Sequence, residues 1–297
     1  MCRTSTMESC RSIYRECARV LSSALLALTG CLHTNALAQS AFEVERLLTL
    51  TTGNLPLVLV APHGGREAIP RIAIRHGNGV RQFKTGRDHN TAELAEAIAL
   101  KLGQMSGAKP FLVIARFDRK YIDANRPSIE AHEALEAQPY YAAFHSAVDE
   151  ACKQIRQVWG RGLLLDIHGQ AAEGNVIFRG TRHGQSVADL VQRFGAQALR
   201  GRQSILGQLA LSGYKILPDP GVNDRESRYI GGHTVQTYGS HRATGIDAMQ
   251  LEFGIRLRAS DNFDRTAADV AAAITVFAKE YLPIASKTIE PGIGTQR

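Results

Sequence analysis

The chain lacks the means to staple itself. Of its 297 residues only five are cysteine, and Cys2, Cys10, Cys17 and Cys31 fall at the very start. Cys152 alone lies deeper, in a helical pattern where it reads as a small buried apolar residue. One cysteine makes no internal disulfide, so the domain must rest on its core. No apolar run reaches the ~18 residues of a membrane-spanning helix. There is no dense Lys/Arg block and no aromatic ladder, and the formal net charge is a mild +7. That excludes the electrostatic footprint of a nucleic-acid binder and suits a basic site for an anionic small molecule. Internal repeats and low-complexity linkers are also missing. What is present is an ordinary globular composition, 44% hydrophobic, long enough for one large α/β domain.

The first residues depart from that composition. Arg3, Arg11, Arg15 and Arg19 precede the apolar stretch from Val20 to Leu28. A basic segment followed by a short apolar one reads as an export signal. Ala36-Leu37-Ala38 supplies a small-residue cleavage site that leaves Gln39 first. Leu28-Thr29-Gly30-Cys31 offers a second exit, resembling a lipoprotein box that would anchor Cys31 by a lipid. Simple cleavage is preferred, because the Ala-x-Ala site lies close behind. Loss of residues 1–38 removes four arginines and two glutamates and lowers the charge from +7 to +5. The expected organisation is a signal over 1–38, a catalytic domain over 41–285 and a loose tail over 286–297. The expected location is periplasmic or secreted.

Along the domain, short apolar runs alternate with helical patterns. Leu57 to Ala61, Phe111 to Phe117, Gly162 to Gly169, Asn175 to Phe178, Tyr214 to Leu217 and Ala248 to Gly254 read as strands. Helices are expected from Thr91 through Leu94, Ile98 and Leu102, from Pro139 to Val158, from Val187 to Leu199, from Ile205 to Leu211 and from Ala267 to Tyr281. Asn90 with Glu93 resembles a capping box. This alternation predicts a single α/β domain with a mostly parallel or mixed sheet flanked by helices. A glycine-rich polar loop from Pro218 to Gly245 carries Tyr229, His233, Tyr238, His241 and Arg242 and is expected to roof a site.

Reactive groups stand at three strand ends. Pro62-His63-Gly64-Gly65 follows the first strand, Asp166-x-His168-Gly169 ends the third, and Glu252 sits in the last. Open α/β sheets hold ligands at such ends. The glycines after His63 would let the backbone pass close to whatever the histidine holds. Two histidines and one carboxylate from separate elements form a zinc site with an open position for water. A carboxylate that is not a ligand must take that water's proton, and Glu252 suits the task. Asp88 waits before a helix N-terminus, while Arg119, Asp123, Asn125 and Arg126 lie on one loop. Asp166 reads more simply as a strand-end cap than as a ligand. His132, His145 and His183 read as ordinary surface residues.

In this order the motifs resemble those of N-formylglutamate amidohydrolases. They are Pro62-His63-Gly64-Gly65, Asp88 before its helix, Arg119 through Ile122-Asp123-x-Asn125-Arg126, Asp166-x-His168-Gly169 and Gln250-Leu251-Glu252. The family looks like a distant branch of the zinc carboxypeptidases and deacylases, and the resemblance spans roughly residues 55–258. It implies a zinc-carboxypeptidase-like fold and one divalent metal, Zn2+, on His63, His168 and a third ligand. Asp88 is preferred there over Glu67, which lies one residue late for the carboxypeptidase spacing. It further implies that Asp123 orients the first histidine, that Asn125 and Arg126 clamp a substrate carboxylate, that Arg119 polarises the scissile carbonyl and that Glu252 is the general base. The substrate would be a small carboxylate-bearing amide. A cell-wall amidase of the N-acetylmuramoyl-alanine type, or a carboxypeptidase, is the alternative. It fits an exported enzyme but does not show the Asn125-Arg126 pair. A binding protein that kept the fold would need a broken site, and no expected residue is missing.

Overall fold

Strands buried at every residue need cover on both faces, and four of the described strands are of that kind. The computed structural model describes residues 44, 46–222 and 224–284. The export signal, Cys31 and the tail expected over 286–297 lie outside the described residues. From Leu47 onward the described chain is one α/β domain. Its seven strands are β1 (Leu48–Thr51), β2 (Leu57–Ala61), β3 (Phe111–Ala115), β4 (Leu163–Gln170), β5 (Val176–Gly180), β6 (Lys215–Leu217) and β7 (Asp247–Gly254). They form a single sheet in the order β1-β3-β2-β4-β7-β5-β6. β3, β2, β4 and β7 run parallel. β1 is antiparallel to β3, and β5 is antiparallel to β7, so the sheet is mixed.

Alternation along the strands divides the sheet into two faces of different chemistry. Leu57 and Leu59 of β2, Leu163, Leu165 and Ile167 of β4, and Met249, Leu251 and Phe253 of β7 belong to one core. That core also takes in Leu94, Ile98 and Leu102 of α1 (Thr91–Ser106) and Val270, Ile274 and Phe277 of a long C-terminal helix (Ser260–Tyr281). The intervening residues, Asp166 and His168 on β4 and Gln250 and Glu252 on β7, face the other way. They stand side by side in register, Asp166 opposite Gln250 and His168 opposite Glu252. Helix α2 (Gln138–Trp159) packs on β2 and β3, burying Phe144, Val148 and Ile155.

The helix ends follow their sequence signals in part. α1 and α2 stop at Gly107 (φ 67°) and Gly160 (φ 74°), left-handed positions that glycine adopts at little cost. The helical stretch expected over 187–199 breaks at Gly195 (φ 77°) into Ala188–Phe194 (α3) and one turn over Gln197–Arg200. Ile205–Leu211 (α4) forms as expected, with the Ser204 side chain accepting from Gly207 N. The long polar loop contains a short helix, His233–Tyr238 (α5), that its composition concealed. The C-terminal helix, α6, starts at Ser260 rather than Ala267, because its polar first turns carry no apolar period. Asn90 and Glu93 make no capping box. Asn90 is itself left-handed (φ 62°) and its Nδ2 donates to Arg258 O, while Glu93 takes Arg66. Cys152 is buried as expected, and burial pushes its thiol up to about 12.

Asp247 opens β7 almost wholly buried, and its Oδ1 accepts from Leu190 N (3.0 Å) and Ser240 Oγ (2.8 Å). Burial raises its carboxyl from 3.8 to about 6. Between those values the folded chain holds more protons than the unfolded one, so this group's contribution to stability is lost as pH rises through about 6. Asp247→Asn keeps an oxygen for both hydrogen bonds and removes the titration. Denaturation titrations should show the variant close to wild type at pH 4 and more stable by about 2–3 kcal/mol at pH 7. A difference independent of pH would contradict this.

Candidate metal centre

His63 leaves the C-terminal end of β2 and meets two aspartates. Its Nε2 lies 2.6 Å from Asp123 Oδ1, and its Nδ1 lies 3.4 Å from Asp88 Oδ2. His168, near the end of neighbouring β4, presents Nδ1 to the same Asp88 Oδ2 at 3.1 Å. The two rings meet edge to face with centroids 4.8 Å apart. One donor atom from each of His63, Asp88 and His168 lies within 4.8 Å of the others. The His63 Nδ1 is buried and makes no hydrogen bond, so a polar atom is left pointing at the centre of this group. Two imidazole nitrogens and one carboxylate oxygen around an open side are a donor set that suits a divalent transition metal. The residues therefore fit the ion that the sequence implied.

Asp88 reaches the histidines because its loop is tied down at both ends. Its N–H donates to His63 O (2.9 Å), and Thr91 donates to its carbonyl through N and Oγ1. Gly169 N donates to Oδ2 (3.1 Å). Arg258, nearly buried, adds a clamp: it donates to the carbonyls of His89, Phe253 and Gln170, while Asn90 donates back to its own carbonyl. Glu67, the alternative ligand, is exposed in a separate cavity with Gly64, Gly65, Arg66, Glu93 and Arg116, and does not join the group.

Burial alone would push the carboxyls of Asp88 and Asp123 up. For Asp88 the hydrogen bonds to His168 and His63 outweigh it, and for Asp123 the charge and hydrogen bond of His63 and the Arg119 guanidinium do. Both are held well below the usual range. His168 is buried too, yet Asp166 and Asp88 hold its imidazole well above its ordinary value. Glu252 goes the other way: burial pushes it up to about 7 against the pull of His168, with Asp88 and Asp166 adding to the rise. Two classes of carboxylate thus share one site: Asp88 and Asp123 are held ionised, and Glu252 is pushed up to about 7.

A cavity of about 750 Å³ opens over the group. His63, Asp88, His168, Arg119, Asn125, Arg126 and Glu252 all line it, whereas Asp123 lies behind His63. Arg119 donates twice to Asp123 Oδ2 (3.0 and 2.8 Å), and its Nη1 lies 3.7 Å from Asp88 Oδ1. Asn125 is more tied down than its expected role suggests. Its Oδ1 accepts from Thr234 N (2.8 Å) and Oγ1 (3.1 Å), and its Nδ2 sits 3.0 Å from His168 Nε2. Arg126 is half-buried and takes part in no ion pair recorded among the described residues.

The long loop does roof the site, through Arg228 to Gly232 rather than through its histidines. It is latched by Glu226, whose buried carboxylate accepts from Arg179 Nε, from Thr181 N and Oγ1 and from His183 N. Gly232 N donates to Gln250 Oε1 (2.6 Å) and Gln250 Nε2 donates to Glu252 Oε1 (2.8 Å), which links the roof to the glutamate. His241 is exposed, and Tyr238 packs with His145. His145 is not a surface residue. Tyr141, Tyr238 and Ala124 O enclose it, and burial lowers it to about 4. The sequence signals missed Glu226 and Arg258, which lie in polar stretches without pattern. Gln250 and Asp166 were visible as the residues two before Glu252 and His168.

The two glycines after His63 have a different reason from the one expected. A Cβ on Gly64 would overlap Ala92 N of α1, and one on Gly65 would overlap Phe117 O and Arg116. They let protein backbone, rather than a ligand, approach the His63 turn.

No protein-family model and no curated protein matches the chain. Solved structures do. An N-formylglutamate amidohydrolase from Ralstonia eutropha JMP134 is 18% identical, with 79% of this chain and 98% of that chain covered and a TM-score of 0.54. A gene product of Agrobacterium tumefaciens is 16% identical over 78% of this chain and 94% of that one, with a TM-score of 0.49. A bacteriophage poly-γ-glutamate hydrolase is 13% identical over 79% and 88%, with a TM-score of 0.40. The fold implied by the sequence motifs is therefore shared with an N-formylglutamate amidohydrolase.

Because the clash at Gly65 is with main-chain atoms, Gly65→Ala should lower stability by about 1–3 kcal/mol. Gly103→Ala, in open space within α1, should instead leave stability unchanged or raise it by up to about 1 kcal/mol. Denaturant unfolding of the two variants checks the contrast, and equal effects would contradict the packing argument.

Proposed function

We propose that this chain is a zinc-dependent amidohydrolase that cleaves an N-acyl amino acid bearing a free carboxylate, in the manner of an N-formylglutamate deformylase. One observation carries the reading. Three metal donors, a raised carboxylate that is not among them and Arg126, without an ion pair among the described residues, line a single cavity. Zinc held by His63, Asp88 and His168 would supply Lewis acidity toward the scissile carbonyl and toward water.

The remaining steps belong to the protein's own groups. Glu252 takes the proton of the attacking water and passes it to the leaving nitrogen, a task suited to a carboxyl near neutrality. Gln250 fixes which oxygen of Glu252 stays free by donating to Oε1. Arg119, steadied on Asp123 by two hydrogen bonds, turns its remaining face toward the oxyanion. Arg126 pairs with the substrate carboxylate, with Asn125 beside it. The cavity's cations, Lys84, Arg87, Arg119, Arg126, Arg228 and Arg258, outnumber Asp88 and Glu252 and favour an anionic substrate.

The cavity size favours a second reading, an exported cell-wall amidase. About 750 Å³ is the volume of a site for a drug-sized ligand rather than for one amino acid. The export signal read from the first 38 residues would place either enzyme outside the cytoplasm.

A hydrolysis screen of N-formyl and N-acetyl amino acids against muropeptides, with and without chelator, separates the readings. The first predicts cleavage of acyl amino acids with a free carboxylate, loss on chelation and recovery with zinc. Muropeptide cleavage alone would favour the second. Glu252→Gln should keep its metal and lose about 10²- to 10⁴-fold in kcat. Arg126→Ala should raise KM for carboxylate substrates and spare their neutral esters. Turnover that survives both chelation and Glu252→Gln would overturn the proposal.

A further inference from the structure

Asp166 is completely buried in the middle of β4, and neither of its oxygens receives a hydrogen bond of acceptable geometry. Its Oδ2 nevertheless lies 3.0 Å from His168 Nε2. An ionised carboxylate left with so little compensation is costly, and a strand-end cap would not need one there. Residues two apart on a strand share a face, so β4 itself carries Asp166 beneath His168.

The surroundings of His168 Nε2 narrow the role. Only two polar side-chain groups of the described residues approach it, Asp166 Oδ2 and Asn125 Nδ2, each at 3.0 Å. Asn125 cannot turn its oxygen toward the ring, because Thr234 N and Oγ1 both donate to Oδ1. A histidine that offers Nδ1 as a ligand carries its proton on Nε2. The amide nitrogen of Asn125 cannot accept that proton, which leaves the Asp166 carboxylate, 3.0 Å away, as the acceptor within reach. His63 already shows the matching arrangement, Nδ1 inward and Nε2 against buried Asp123.

We infer that Asp166 is the positioning residue of His168, fixing its tautomer and ring so that Nδ1 serves as a metal ligand, as Asp123 does for His63. The centre is then built from two like units, each a histidine backed by its own buried aspartate. The inference rests on the metal reading of the previous section and adds a residue to it.

The test compares Zn2+ affinity, by competition with a chromophoric chelator, and the melting temperature of the metal-free chain for wild type, Asp166→Asn and Asp166→Leu. Asparagine keeps the volume but loses the charge, and leucine loses the acceptor altogether. The expected result is a 10- to 100-fold loss of affinity in both, larger for leucine, with the metal-free chain melting no lower than wild type. A purely structural Asp166 would give the opposite: a lower metal-free melting temperature and an affinity within about threefold of wild type. That pattern overturns the inference. Should the leucine variant fail to fold, the asparagine variant decides alone. A wild-type chain that takes up no Zn2+ would overturn the metal reading itself, which is a different outcome from equal affinities.

Discussion

The 2.6 Å contact between His63 Nε2 and Asp123 Oδ1 is the interaction on which the rest of the site depends. It turns the ring so that Nδ1 faces Asp88 and His168. The same carboxylate takes two hydrogen bonds from Arg119 and one from the backbone of Asn125. One buried aspartate thereby fixes a candidate ligand, an arginine of the cavity and the start of the segment that carries Arg126. Burial works against that charge, and the contacts of His63 and Arg119 with it keep Asp123 ionised. A site so arranged is sensitive to loss of any partner, since the remaining buried charge would stand uncompensated.

The sheet supplies the other half of the geometry. Alternation sends the leucines of β4 and β7 into the core and leaves Asp166, His168, Gln250 and Glu252 as a polar patch on the opposite face. Parallel pairing in register sets His168 beside Glu252, so the candidate metal ligand and the proposed general base come from adjacent strands. The roof loop is fastened separately, through Glu226 at one point and through Gly232 on Gln250 at another. Strands thus hold His168 and Glu252 while loops carry most of the cavity's cations.

Much of this was legible in the residues themselves. The apolar runs that end in His63 and His168 marked both the strands and the candidate ligands, because a buried parallel strand leaves a continuous apolar signature. Asp88 was readable from its place before α1. Edge strand β1 was not, since Leu48–Thr51 is short and half exposed, and α5 was hidden by a polar six-residue stretch. Asn90 and Glu93 have the spelling of a capping box, yet long-range partners, Arg258 and Arg66, take their side chains. The glycines after His63 were assigned to the ligand when the constraint is Ala92 and Phe117. Contacts between residues far apart in the chain leave no local period, and these are the features that spacing alone could not supply.

The proposed function stands on one divalent ion held by His63, Asp88 and His168. Metal content after equilibrium dialysis against Zn2+, measured by mass spectrometry on wild type, His63→Ala and Asp88→Ala, tests it most directly. The wild type should hold about one ion per chain, and both variants should lose stoichiometric binding. Full occupancy in either variant would contradict it.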